Sequence, residues 1–268
     1  MTTLAAEPRV TPIRVTPIQG IRHTGTLAWR TLVQIKHNPF ELIDFSVQPV
    51  MFLLLFTYVF GGAISGSPGD YLKFGLAGII VQNLLFATMN TGVGLNTDLT
   101  KGVFDRLRSL PIARFSPLAG RIVADVVKQA WAVALLLVVG VLLGYRFGSG
   151  PLDVLAAFGL LILFGFCASW MSVLVAMLVS TPEKVQIFGF ALLFPLTFAS
   201  NAFAPTATMP GWLQAWVKVN PVTVLADAVR GLLNGGAVAG PVTQSLLWAA
   251  LLLAVFAPLS IWAFRRKV

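Results

Sequence analysis

Apolar residues dominate six stretches of about twenty positions or more along this 268-residue chain, near 45–64, 72–96, 124–145, 152–179, 185–204 and 245–264. A helix rises about 1.5 Å per residue, so roughly 20 residues cross a hydrocarbon core of about 30 Å. The pattern therefore predicts an all-α membrane protein with six transmembrane helices. Pro49 and Pro195 fall inside predicted spans, where packed neighbours tolerate the kink a proline brings.

The period changes before the first run. Between Thr24 and His37, Ala28, Trp29, Leu32, Val33 and Ile35 form a broad apolar face, with Arg30, Gln34 and His37 opposite. Pro39 ends the segment. Two readings stand: an amphipathic helix lying at the membrane interface, and an ordinary lead-in to the first span. Residues 1–20 are rich in Thr and Pro and repeat Arg-Val-Thr-Pro-Ile at 9–13 and 14–18. They are expected to form a disordered cytoplasmic tail that stays on the mature protein, because they lack the apolar core of a signal peptide. The transmembrane domain then occupies 21–268.

Composition agrees with the pattern. Apolar residues make up 57% of the chain and charged residues 11%, against about 45–50% and about 25% in soluble domains. No room is left for a separate soluble domain. The formal charge of +9 raises nucleic acid as a partner, but its placement answers otherwise. Of 19 Lys and Arg, all but Lys73, Arg146, Lys218 and Arg230 fall in the N-terminal segment, in or just after the loop that follows the second run, at Lys184 and in the tail Arg265–Lys267. By the positive-inside rule both termini are cytoplasmic, which suits an even number of spans. The single cysteine, Cys167, can form no intrachain disulfide, and His23 and His37 lack further ligands for a metal site.

Candidate chemistry is sparse. The span centres carry no Asp, Glu, Lys or Arg, with Asp125 and Lys128 only near the inner end of the third. Proton-driven carriers depend on such groups, whereas sodium coupling through carbonyls stays open. The chain has no Gly-Lys dipeptide, hence no phosphate loop, and neither zinc-ligand spacing nor a Gly-x-Ser-x-Gly elbow. A membrane enzyme finds no catalytic cluster here. If transport is energised, the energy enters from a partner.

Polar positions inside the runs are few and patterned. Asn83, Asn90 and Thr97 recur at sevens with Gly94 on the same side, and Gln186, Phe190, Leu193, Thr197 and Asn201 recur at three or four, with Phe194 and Phe198 adding rings. Bare amides are costly in lipid, so these faces point inward. Asn83, Asn90, Thr197, Phe198 and Asn201 are candidates for a substrate path; the competing reading is interhelical glue. Gly140 and Gly144 make a GxxxG packing motif. The segment 204–244 holds two apolar pieces, Pro210 to Trp216 and Val224 to Leu233. They either dip into the membrane where protein shelters them or lie on its surface.

The loop from Asp98 to Ile112 places Val103, Leu107 and Leu110 on one side of a short helix, with Arg106 among the polar groups and Pro111 as its stop. Such a helix, held between two spans, can dock on another protein; a solvated basic loop is the alternative. The stretch Gly102-Val103-Phe104-Asp105-Arg106-Leu107-Arg108-Ser109-Leu110-Pro111-Ile112, followed by Arg121 and Asp125, resembles the signature of type-two ABC exporter permeases. Met209-Pro210-Gly211-Trp212-Leu213 and Asn220-Pro221-Val222-Thr223 with Asp227-Ala228-Val229-Arg230 are similar to its daunorubicin-resistance, drug-export branch.

This resemblance implies a permease that exports hydrophobic or amphipathic compounds across a bacterial inner membrane. It implies an ATP-binding cassette ATPase as a separate subunit, with ATP and magnesium bound there and no cofactor in this chain, and a second copy of this permease or a homologue. Gly102, Val103, Phe104, Arg106, Leu107, Arg108, Leu110 and Pro111 would form the coupling helix that meets the ATPase. The helix near Trp29 would be the connecting helix, Thr181–Lys184 a second contact, and Asn220 to Arg230 part of an outer re-entrant segment. Two rivals stand beside it: a permease for polysaccharide or lipid-linked glycan, and an ATP-independent channel or carrier.

Overall fold

The computed structural model describes residue 20, residues 22–29, residue 33, residues 39–103 and residues 116–267. The described residues are helices and short connections, with no strand among them. Helix α1 (Pro39–Leu55) continues through a π-helical turn (Phe56–Phe60) into α2 (Gly61–Ser65). Then follow α3 (Pro68–Thr100), α4 (Ser116–Leu142), α5 (Pro151–Leu178), α6 (Pro182–Phe198), α7 (Gly211–Val219), α8 (Pro221–Asn234) and α9 (Ala239–Lys267).

Prolines mark the helix starts as the sequence rules require. Pro68, Pro151, Pro182 and Pro221 each occupy the first turn, where the missing N–H has no intrahelical carbonyl to serve. Ser67 caps α3 by accepting from the Asp70 amide at 3.1 Å, and Asn220 caps α8 by accepting from Val222 at 2.8 Å.

Among the described residues, five helical stretches are long and apolar enough to cross a membrane: Phe45–Ser65, Pro68–Thr100, Leu118–Leu142, Pro151–Leu178 and Ala239–Lys267. They match five of the six expected runs within a few residues. The run at 185–204 behaves differently. Its helix, α6, has 17 residues and stops at Phe198, so it is only about 25 Å long. Residues 199–205 turn away from the helix axis instead of extending it.

Helix α3 is the central post, packing against α1, α4, α5, α6 and α8. Helix α5 packs against α9 along its length and also against α3 and α4. The main core joins Leu76, Ile80 and Leu84 of α3 to Leu136 of α4, Leu161 and Phe164 of α5 and Leu225 of α8. A smaller one at the basic end joins Leu95, Leu118, Ile122, Val173 and Phe264. Chain direction alternates, so the ends of α3, α5 and α9 gather with the starts of α4 and α6. This is the basic end. The α4–α5 connection, α7 and α8 lie at the opposite end.

The N-terminal helix falls partly inside the described residues. Residues 22–29 are helical; Ala28 is buried and Trp29 exposed. It lies against the start of α4, where a side chain at Gly120 would meet Leu27. The tail 1–19 and the remaining positions up to residue 38, except 20, 22–29 and 33, lie outside the described residues. The GxxxG pair divides: Gly140 faces Leu76 of α3, whereas Gly144 lies beyond the end of α4 in a left-handed conformation, φ +102°. Only Gly140 serves helix packing.

Candidate functional site

A cavity of about 860 Å³ opens between α1, α3 and α6. Phe45, Gln48 and Pro49 line it from α1; Asn83, Phe86, Ala87, Met89 and Asn90 from α3; Gln186, Ile187, Phe190 and Ala191 from α6. Its volume is that of a small-molecule site. Four amides (Gln48, Asn83, Asn90, Gln186) offer donors and acceptors without net charge, and Phe45, Phe86 and Phe190 offer flat apolar faces. Phe86 and Phe190 meet edge to face at 5.8 Å. Such a lining suits an amphipathic organic molecule.

Of the path candidates, Asn83 and Asn90 line this cavity. The sevenfold spacing brings them to one side of α3 because seven residues nearly complete two helical turns. Thr197 is fully buried, and its hydroxyl donates to the Leu193 carbonyl of its own helix at 2.7 Å. Phe198 is partly exposed and stacks on Phe194 at 4.3 Å. Asn201 sits beyond α6, in the polar cluster at the opposite end. Gln48 of α1 also lines the cavity, and spacing gives no sign of it, because no second amide recurs at helical intervals along its span.

A row of rings leaves the cavity. From Phe190 it runs to Phe194 (5.1 Å), Phe198 and Phe203 (4.9 Å), then crosses to Phe56 (4.8 Å). Helical spacing reveals the first three of these rings. Phe56 and Phe203 join only through tertiary packing.

At the basic end an ionic clamp ties α3 to α4. Arg121 on α4 pairs with Asp98 on α3 at 3.1 Å and with Asp125, one turn along, at 3.2 Å. Lys128 approaches Asp125 at 3.5 Å and lies 5.6 Å from the ring of Phe45, a wall of the cavity. Gly94 supplies the space, because a Cβ there would overlap the Arg121 guanidinium. Asp125 and Lys128 are both buried, and ion pairs in such surroundings repay desolvation only when well partnered. Two further ties hold α5 here: Asn96 donates to the carbonyls of Ala176 (2.8 Å) and Val179 (3.1 Å), and Lys267 donates to Met177 and Val179. Between α3 and α4, Gly102 (φ +66°) and Val103 are described. Phe104, Arg106, Leu107, Arg108, Leu110 and Pro111 lie outside the described residues.

At the opposite end α8 is packed among α3, α5 and α9, with Val222, Leu225, Val229 and Leu233 fully buried. Its Arg230 pairs with Asp227, donates to the carbonyls of Phe74 (3.0 Å) and Asn201 (3.3 Å), and lies over the Phe74 ring. Asn201 donates to Asp227 at 2.8 Å. Asn220 donates to the Leu196 and Ala199 carbonyls, both at 2.8 Å, taking up the bare carbonyls where α6 ends. The turn after α6 presses on α3 at Gly78, where a Cβ would lie 2.0 Å from the Ala202 carbonyl oxygen. The end of α8 is held as well: Tyr145 donates to Asn234, and Ser149 donates to the Leu232 and Leu233 carbonyls. Burial pushes the Tyr145 phenol up to about 12, against the opposing effect of Arg230, so it stays protonated and donates at neutral pH. Among the described residues no cluster of three or more His, Cys, Asp or Glu could hold a metal ion.

Comparison with known proteins bears on the same residues. The sequence matches the family described as ABC-2 type transporter over residues 22–234. It is 43% identical to the daunorubicin resistance ABC transporter permease protein DrrB1 of Streptomyces coeruleorubidus, covering 99% of this chain and 92% of the relative. It is 25% identical to the doxorubicin resistance ABC transporter permease protein DrrB of Mycobacterium tuberculosis (strain ATCC 25618 / H37Rv), over 81% of this chain and 75% of the relative.

Proposed function

The chain belongs to the ABC-2 type transporter family, and from that premise we propose that it is the permease subunit of a drug exporter. Its substrates are hydrophobic or amphipathic compounds of the kind for which its relatives are named, daunorubicin and doxorubicin. The observation that carries the reading is the cavity between α1, α3 and α6, where amides orient a solute and phenylalanine rings cover its apolar part.

In this reading the basic end faces the cytoplasm, as the positive-inside rule favours, and the membrane is the bacterial inner membrane. Helix α6 counts as the sixth span: 17 residues is the lower limit for crossing, and α8 completes the layer as a re-entrant helix whose backbone is sheltered by protein. A separate ATP-binding cassette subunit docks on the loop between α3 and α4, with Phe104, Arg106, Leu107 and Leu110 as its contacts. ATP and magnesium bind on that subunit. A second permease, identical or homologous, completes the path.

Arg121 gives the docking loop its mechanical effect. It joins the two helices that flank the loop, so a push on the loop displaces both together. Asn83 and Asn90 on α3 then move relative to α6, and the cavity changes shape. The test is efflux from cells expressing the chain with its ATPase: doxorubicin accumulation falls, and inactivating the phosphate-loop lysine of the ATPase abolishes the effect. Efflux that persists with the inactive ATPase would place the chain among ATP-independent carriers.

A further inference from the structure

Helix α7 presents an apolar stripe that none of the other described residues covers. Trp212, Trp216 and Val219 fall at i, i+4 and i+7 on one side and are 77%, 49% and 59% exposed, while Val217 on the other side is fully buried. The helix follows the turn after α6 by way of a short 3-10 turn (Thr206–Thr208) and runs into α8 through Asn220, the residue that also binds the last carbonyls of α6. Its level along the bundle is thereby fixed at the end of α6.

We propose that α7 is an anchor seated in the phospholipid headgroup layer of the outer leaflet, and that it sets the height of α8 relative to the bilayer. Three features select lipid as the occupant. Tryptophan suits this layer because its ring is apolar and its indole N–H can donate to headgroup oxygens. Lys218, exposed beside the stripe, supplies a cation for lipid phosphate, and Gly211–Val219 contains no acidic residue. The stripe is also small. Two tryptophans and a valine at these exposures offer on the order of 400 Å², well below the roughly 800 Å² per partner of a stable protein interface. The inference rests on the transmembrane arrangement and orientation given above, and not on which solute is exported.

The consequence is mechanical. Asn220 belongs to the end of α7, caps α8 and holds the end of α6. A change in the height of α7 is therefore delivered to α8 and to the row of rings on α6.

The experiment uses the full chain with its ATPase subunit in phosphatidylcholine–phosphatidylglycerol vesicles. In a Cys167→Ala background, nitroxide labels are placed through Trp212→Cys, Trp216→Cys and Val219→Cys on the stripe, and through Gly211→Cys and Lys218→Cys beside it. The expected result is that oxygen collides more often than a water-soluble nickel chelate at the three stripe positions, with the order reversed at 211 and 218. Nickel access at all five positions overturns the proposal in favour of a solvated helix. Mutual broadening of labels at 212 or 216 overturns it in favour of a contact between two copies. Fluorescence supplies a check without cysteines: brominated phospholipid should quench the wild-type protein more than the Trp212→Phe, Trp216→Phe double variant. Equal quenching also counts against lipid contact. Efflux can fail while these outcomes stand, so the anchor and the transport reading are separable.

Discussion

The guanidinium of Arg230 on α8 lies 4.1 Å above the ring of Phe74 on α3 and also donates to that residue's backbone carbonyl at 3.0 Å. One side chain thus joins the outer helix to the central post by a stack and a hydrogen bond, while Asp227 and the Asn201 carbonyl take two more of its donors. Lysine cannot reproduce this, since it has no planar fork to stack and bridge. Arg230→Ala should lower stability by about 1–3 kcal/mol, the usual effect of losing charge-assisted hydrogen bonds where one partner, Asp227, is part-exposed. Arg230→Lys should recover part of that. Thermal unfolding in lipid–detergent mixtures reads the difference, and an Arg230→Ala protein as stable as wild type would contradict the clamp.

The approach of Ala202 to Gly78 makes a sharper demand. A Cβ at Gly78 meets backbone, which cannot swing aside, so Gly78→Ala should reduce folded yield and lower the unfolding midpoint. The control is Gly159 on α5, where a Cβ meets nothing within 4 Å. There alanine should be neutral or stabilising by up to about 1 kcal/mol. Equal behaviour of the two variants would mean that the turn after α6 does not rest on α3.

Asn83 and Asn90 line the cavity, whereas Thr197 spends its hydroxyl on its own helix. Asn83→Leu and Asn90→Leu should therefore raise the half-saturating drug concentration. The expected change is roughly tenfold, from the loss of about one well-made hydrogen bond. Thr197→Val should leave it nearly unchanged. Concentration-dependent efflux in vesicles distinguishes these, and a larger effect at Thr197 than at either asparagine would relocate the path.

Arg121 is placed to transmit rather than to bind, so its loss should separate hydrolysis from transport. Arg121→Ala should keep ATP hydrolysis by the complex while drug moved per ATP falls by roughly two- to thirtyfold, the range for coupling energies of about 0.5–2 kcal/mol. Parallel loss of both activities at unchanged complex yield would argue for a wholly different role.

Much of this arrangement is legible in the sequence because membrane helices announce themselves by length and apolarity. Five spans and the Asn83/Asn90 face follow from one-dimensional pattern. The end of α6 does not. Ala199, Ala202, Phe203 and Ala204 prolong the apolar run past the helix end, and the stop at Phe198 is sealed by Asn220, 22 positions later, taking the terminal carbonyls. The GxxxG pair misleads for a similar reason: spacing cannot reveal that Gly144 lies past the helix end. Arg121 and Asp125 are visible as charges near a span end, but the third member, Asp98, stands 23 residues upstream across the loop. Phe203 and Phe56 join the ring row across 147 positions of sequence, beyond the reach of any periodicity.

The central claim is that a separate ATPase drives this permease through the loop between α3 and α4. The direct measurement is ATP hydrolysis together with doxorubicin uptake into inverted vesicles containing the chain and its ATPase subunit, with and without the double change Arg106→Glu, Leu107→Asp. The account predicts drug-stimulated hydrolysis and uptake in the wild-type complex, and loss of both stimulation and uptake in the variant at unchanged permease level. Uptake that proceeds in the variant, or without any ATPase subunit, would contradict it.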